Sequence, residues 1–150
     1  MAILVDGDAC PDLLEIKKLA KRYLVEMIVF VDYAHCLQDD YFKVCFCEVG
    51  KDSVDQAIIN TCKKGDLVIS QDYGLASYAL LKGAQVLHPS GKVINNENID
   101  QLLMGRYVSA KQRRMNKRVK GPAKRTDKIH DIFLRQLENI LINNKNASSK

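Results

Sequence analysis

Ala2-Ile3-Leu4-Val5-Asp6-Gly7-Asp8-Ala9-Cys10-Pro11 is the stretch whose reading decides the fold. Four apolar residues run into two carboxylates, with a glycine between them and a proline close behind. A short, continuous apolar run bounded by turn residues is the pattern of a strand buried on both faces, as in a parallel sheet covered by helices. Asp6 then stands where the strand leaves the core, and Gly7 permits a sharp exit that brings Asp8 beside it. In open α/β sheets, ligands bind beyond the carboxyl ends of the strands. Two carboxylates so close repel unless a cation or a shared proton lies between them. Hard cations take oxygen ligands, so the pair is a candidate half of a Mg²⁺ or Mn²⁺ site. The plainer alternative is that Asp8 caps the next helix and Asp6 shapes the turn.

The same pattern returns further along. Leu67-Val68-Ile69-Ser70 is a second wholly apolar strand, and Gln71-Asp72-Tyr73-Gly74 ends it, so Asp72 repeats the position of Asp6. Between the two lie Met27 to Val31, a buried strand whose exit is Asp32, and Lys43 to Val49, a strand that includes Cys45 and Cys47. His35 follows Asp32 in a loop. Ala84 to His88 is a fifth strand. Helices are predicted after Pro11, with Leu13, Leu14, Ile16, Leu19, Ala20 and Leu24 as the inner stripe and Asp8 or Asp12 as cap. Further helices follow: one entered from the Gly50 turn with Val54, Ala57, Ile58 and Cys62 on its inner face, then about Leu75 to Lys82, and Asn95 to Met104. Strands alternating with helices imply βαβ units, hence a three-layer αβα domain around a mainly parallel sheet of about five strands. Asp52 and Asp55 are three residues apart at the entrance of the second helix, so both can project from one face of its first turn. Capping explains Asp52 well and Asp55, further in, less well. Strand exits in a parallel sheet share one edge, where Asp6, Asp8, Asp72 and the Asp52–Asp55 face can converge.

Composition bounds the rest. At 150 residues, 47% of them apolar, the chain is expected to be one soluble domain, residues 1–142, with a disordered tail at 143–150. No apolar run approaches the roughly 20 residues that cross a bilayer. The N-terminus opens on a strand and lacks the signal-peptide pattern, so a cytoplasmic location is expected. The five cysteines form no C-x-x-C pair, and three histidines accompany them, which argues against a zinc site and a disulfide framework. Cys10 lies beside the acids without an evident His partner to make it a nucleophile.

Net charge is +5, divided unevenly: residues 1–105 carry 10 Lys/Arg against 15 Asp/Glu, and residues 106–150 carry 13 against 3. Arg106, Lys111, Arg113, Arg114, Lys117, Arg118, Lys120, Lys124, Arg125 and Lys128 face a single acid, Asp127. A merely solvated face mixes both signs, so residues 106–128 are read as an excursion that contacts nucleic acid. Asp127 to Ile142 then forms an amphipathic helix with Ile129, Ile132, Phe133, Leu137, Ile140 and Leu141 inward. Carboxylates at strand ends, a hard cation and a basic flank suit phosphodiester hydrolysis of RNA or single-stranded nucleic acid. Oligomeric state is not encoded in any motif here.

Together, Val-Asp-x-Asp-Ala-Cys-Pro, Asp-x-x-Asp-x-x-Ile, Gly-Asp-Leu-Val-Ile-x-Gln-Asp-x-x-Leu-Ala and Arg-Arg before Gly-Pro resemble the YaiI/YqxD family (UPF0178), itself similar to the PIN-like nuclease superfamily. The resemblance runs from Ile3 to the final helix. It implies a parallel sheet with metal-ligating acids at strand ends: Asp6 as the first-strand acid, Asp55 with its neighbour Asp52 on the helix, and Asp72 after the fourth strand. Asp8 belongs to this family's own motif, and Ser70 and Gln71 are secondary positions. Pro89-Ser90-Gly91 departs from the expected pattern, which has an arginine between the proline and the glycine. Two other classes fit part of the pattern. One is a haloacid-dehalogenase-type phosphatase with Asp6 as nucleophile and Asp8 as acid/base; the other is a non-catalytic RNA-binding protein.

Overall fold

A computed structural model describes residues 1–8, 10–32, 38–48, 53–114 and 126–148. In chain order the elements are β1 (Ala2–Asp6), α1 (Leu13–Arg22), β2 (Glu26–Asp32), β3 (Lys43–Cys47), α2 (Ser53–Thr61), β4 (Leu67–Ile69), α3 (Tyr73–Leu81), β5 (Gln85–Leu87), β6 (Val93–Ile94), α4 (Ile99–Arg114) and α5 (Asp127–Ser148). The sheet has six strands in the order β3-β2-β1-β4-β5-β6. Five are parallel, and the short β6 pairs antiparallel with β5.

Alternation along the strands sorts the core into two layers. Ile3, Val5, Val29, Val31 and Ile69 face α1 and α5, where they meet Ile16, Leu19, Phe133 and Leu137. Leu4, Phe30, Val68 and Val86 face the other way, onto Ile58 of α2, Leu75 and Ala79 of α3, and Ile99 of α4. Both faces of the sheet are therefore covered, which is why β1 and β4 read as unbroken apolar runs. No described helix is long and apolar enough to cross a membrane.

The expected αβα arrangement around a mainly parallel sheet is present, with a short sixth strand, β6, added where the Pro89–Lys92 turn folds Val93–Ile94 back onto β5. Several local expectations are corrected. α4 begins at Ile99, not Asn95; the Asn95 side chain instead accepts from the amides of Glu97 and Asn98 at 2.9 and 3.1 Å in the preceding turn. α4 also runs on through Arg114, because Lys, Arg and Gln are good helix formers and charge alone does not end a helix. α5 continues through Ser148, so residues 143–148 are helical and not a disordered tail. Leu14 and Leu24, assigned to the inner stripe of α1, are 64% and 86% exposed. Leu24 lies past the helix end at φ 56°, where the chain turns away. Ile132 of α5 is also exposed. Asp12 occupies the α1 N-cap but makes no capping bond with its side chain. It is buried, and its carboxylate meets His130 Nδ1 of α5 at 2.8 Å, joining the two helices of one layer.

Candidate active site at the carboxyl edge of the sheet

From β1 the chain proceeds to β2 and β3 on one side, then crosses to β4, β5 and β6 on the other. The β1–β4 junction is thus a topological switch point, the place where open α/β sheets bind ligands beyond the carboxyl ends of their strands. Asp6 ends β1, and Ser70 and Asp72 follow β4.

These three residues are linked across the junction. The Ser70 hydroxyl, 1% exposed, donates to Asp6 Oδ2 at 3.3 Å and accepts from the Asp72 amide at 3.0 Å. Asp72 is the N-cap of α3, its Oδ1 accepting from the Leu75 amide at 3.0 Å. One capping bond therefore pins the carboxylate at the head of a helix. Gly7 has a different purpose from the sharp exit expected of it. Its amide donates to Phe30 O at 2.8 Å, and a Cβ there would lie 2.6 Å from Val29 Cγ1 and 2.7 Å from Val31 Cγ1. Only a residue without a side chain lets β1 lie this close to β2 as the acids emerge.

Burial pushes the Asp6 carboxyl above its ordinary range, and the Asp8 charge pushes it further. The Ser70 hydroxyl and the Asp8 amide pull the other way, and Asp72 adds a smaller upward push. Asp6, Asp8 and Asp72 thus share one electrostatic neighbourhood, with Asp8 exposed to solvent. Asp32 and Asp8 both act on Cys47 at the end of β3. Burial chiefly, then the Cys45 thiol and these two acids, raise its pKa to about 11. Cys47 is therefore a thiol near neutrality and neither nucleophile nor soft ligand. Among the described residues, Cys10, Cys45, Cys47 and Cys62 are reduced thiols outside any disulfide, and Cys10 is packed in the α1–α5 layer.

Of the acids expected to converge, the described contacts link Asp6 and Asp72 through Ser70 and set Asp8 beside Asp6. Asp55 stands half-buried in the first turn of α2, which packs on the same side of the sheet as α3. Asp52 and His35 lie outside the described residues. Among the described residues, no three His, Cys, Asp or Glu side chains are grouped to hold a metal ion. Mg²⁺, however, keeps several waters and is held by one or two carboxylates plus substrate phosphate oxygens, not by an all-protein cage. Asp6 and Asp72, crowded by like charge and bridged through Ser70, fit that sparser arrangement. A concavity of about 1070 Å³ along Gln38–Phe46 is lined by none of these acids.

His88, which closes the fifth apolar run of the sequence, leaves β5 at this same edge. The available signal was positional: it follows an apolar strand as Asp6 and Asp72 do. Gln71 is exposed beside Asp72. Of the basic segment, Arg106, Lys111, Arg113 and Arg114 fall on α4, whereas Lys117, Arg118, Lys120, Lys124 and Arg125 lie outside the described residues.

A family profile described as "Uncharacterized BCR, YaiI/YqxD family" matches residues 4–143. A UPF0178 protein of Clostridium tetani is 46% identical over 127 residues, covering 85% of this chain and 87% of that one. A UPF0178 protein of Natranaerobius thermophilus is 42% identical over 147 residues, covering 98% of this chain and 100% of its own. A crystal structure of Rae1 (YacP) from Bacillus subtilis aligns with 95% of this chain and 99% of its own at 16% identity and a TM-score of 0.45. On the match along nearly its whole length, the chain belongs to the YaiI/YqxD family, UPF0178.

Proposed function

We propose that this protein is a PIN-like, divalent-metal-dependent nuclease of the cytoplasm, hydrolysing phosphodiesters of RNA or other single-stranded nucleic acid. The observation that carries the reading is the Asp6–Ser70–Asp72 hydrogen-bonded run across the switch point, with Asp8 and Asp72 loading negative charge onto Asp6. A carboxylate whose ionisation is made costly by burial and by neighbouring acids is typical of functional sites.

In this reading Asp6 and Asp72 hold Mg²⁺ or Mn²⁺, with Asp52 and Asp55 as additional ligands from the α2 side. The ion, when bound, lowers the pKa of a water and offsets charge that grows on the phosphate. Ser70 keeps the Asp6 carboxylate oriented by donating to Oδ2. Exposed Asp8 takes the proton of the attacking water at its carboxylate. Arg106, Lys111, Arg113 and Arg114 on α4, with the cations that follow, hold the backbone of the nucleic acid without reading its sequence.

The test compares the wild-type chain with Asp6→Asn and Asp72→Asn on RNA, on DNA and on a small phosphate ester, with and without Mn²⁺. The expected result is Mn²⁺-dependent cleavage of RNA or single-stranded DNA by wild type and loss of it in both variants. Equal turnover by all three proteins would point to a contaminant and end the assignment. Release of product from the small ester through a covalent aspartyl-phosphate on Asp6 would favour the phosphatase reading. Tight RNA binding with no cleavage under any condition would favour the non-catalytic one.

A further inference from the structure

We propose that Tyr107 is a stacking platform for an unpaired base, so that the exposed stripe of α4 takes single-stranded nucleic acid in preference to duplex. The inference rests on the nucleic-acid part of the reading above and names the form of the substrate. α4 packs inward through its first turns: Ile99 is buried, and Leu102 and Leu103 pack against the core layer that α3 shares. Met104, Tyr107, Val108 and Lys111 recur at i, i+3, i+4 and i+7, so they share one side of the helix, away from that inner face. Apolar residues at this spacing ordinarily mark a buried face. Here Met104 is 62% exposed, Tyr107 59% and Val108 44%, and Lys111 is exposed beside them.

Gly105 adjoins Val108, three positions on, at the border of the stripe. Among the described residues, no atom lies within 4 Å of where its Cβ would stand. Packing therefore does not call for glycine there, although glycine is among the poorest helix formers. It leaves bare backbone beside the stripe, where a ligand can approach closely.

Charge selects the occupant. After Asp100, α4 contains Arg106, Lys111, Arg113 and Arg114 and no acid. A second copy of the chain would set these cations against their counterparts, and like charges repel. A membrane would meet three apolar residues, a narrow face beside the Trp-, Phe- and Leu-rich faces by which helices lie in a bilayer interface. A single strand matches both features: its phosphates take the cations, and its unpaired bases take the aromatic face. In a duplex the bases are stacked on one another, which leaves Tyr107 nothing to cover. α4 packs on α3, the helix that Asp72 caps, so the stripe and that acid belong to neighbouring elements.

Fluorescence anisotropy on the full chain, in EDTA to prevent cleavage, compares a short single-stranded RNA with a duplex of the same length. Tyr107→Ala should bind the single strand about tenfold more weakly, the loss of one base–aromatic stack, and the duplex as wild type does. Tyr107→Phe keeps the ring and should stay within about threefold of wild type, whereas Tyr107→Leu should weaken as Ala does. The slope of log affinity against log salt should be the same in Tyr107→Ala as in wild type, because stacking releases no counterions; a flatter slope would overturn the proposal. Wild-type affinity of folded Tyr107→Ala for the single strand overturns it and leaves the nuclease reading standing. Equal binding by the Phe and Leu variants also overturns it, because the contact would then need no aromatic face. A wild-type dimer that Tyr107→Ala converts to monomer in size-exclusion chromatography would give the stripe to a second copy instead. Tyr107-dependent binding to anionic phospholipid vesicles, with RNA affinity unchanged, would give it to a membrane. If the wild-type chain binds neither RNA, the nucleic-acid reading falls and takes this inference with it.

Discussion

The two ends of the β1–β4 pair use the same residue type to opposite effect. At the amino end, just before β4, the buried Asp66 accepts from the Ala2 amide at 3.0 Å on one oxygen and from the Lys63 amide at 2.9 Å on the other. Both oxygens are matched to backbone donors, and the carboxylate ties the first strand to the turn that leads into β4. At the carboxyl end, Asp6 receives the Ser70 hydroxyl and the Asp8 amide, but two neighbouring carboxylates work against its charge. An acid saturated with amide donors is a structural tie. An acid crowded by its own kind is a place where a cation or a cationic group lowers the energy.

The contrast can be broken by substitution. Asp66→Ala leaves two amides without their acceptor and should cost about 3 kcal/mol of stability, read as a shifted urea midpoint, while turnover per folded molecule is unchanged. Loss of turnover in fully folded Asp66→Ala would erase the distinction between the two ends. Ser70→Ala should lower Mn²⁺-dependent turnover about 10- to 100-fold, the usual effect of losing a group that orients a metal-binding carboxylate. A loss matched by unfolding would reduce Ser70 to a packing role. The smallest effect is on stability. Because the folded-state pKa of Asp6 is raised above 3.8, the native chain holds that proton more tightly than the unfolded chain does. The associated stability is fully present below the ordinary carboxylate range and is lost as pH rises through the raised pKa. Asp6→Asn carries no such titration. In EDTA it should therefore match wild type at low pH and melt above it at neutral pH. A variant that melts below wild type at neutral pH would show that the Asp6 charge is already compensated without a metal.

Much of this architecture is legible in the residues. The apolar runs at Ile3–Val5 and Leu67–Ile69 mark strands covered on both faces, and Asp6 and Asp72 mark their exits. Where the reading missed, a nonlocal partner intervened. Leu14 falls on a plausible helical stripe, but the inner face of α1 is set by where α5 packs, and that face takes Ile16, Leu19 and Ala20. Asp12 looks like a cap and instead meets His130, 118 positions away. His88 looks like the end of a strand and becomes notable only when β5 is laid beside β4. The joining of Asp55 to the other acids remains a proposal, because helix spacing places it on a face without placing that face against Asp6.

Strand, helix and exit carboxylate are properties of a few neighbouring residues, since side-chain periodicity and turn chemistry act over short range. The chain therefore carries in plain view an αβα domain with acids at its strand ends and a cationic stretch near its C-terminus. Which strands become neighbours is another matter. The Asp6–Ser70 bond spans 64 positions. It exists because β4 crosses to pair with β1 and not with β3, an outcome of burying both faces of the whole sheet at once. That crossing brings two aspartates from distant parts of the sequence to the two sides of one buried serine.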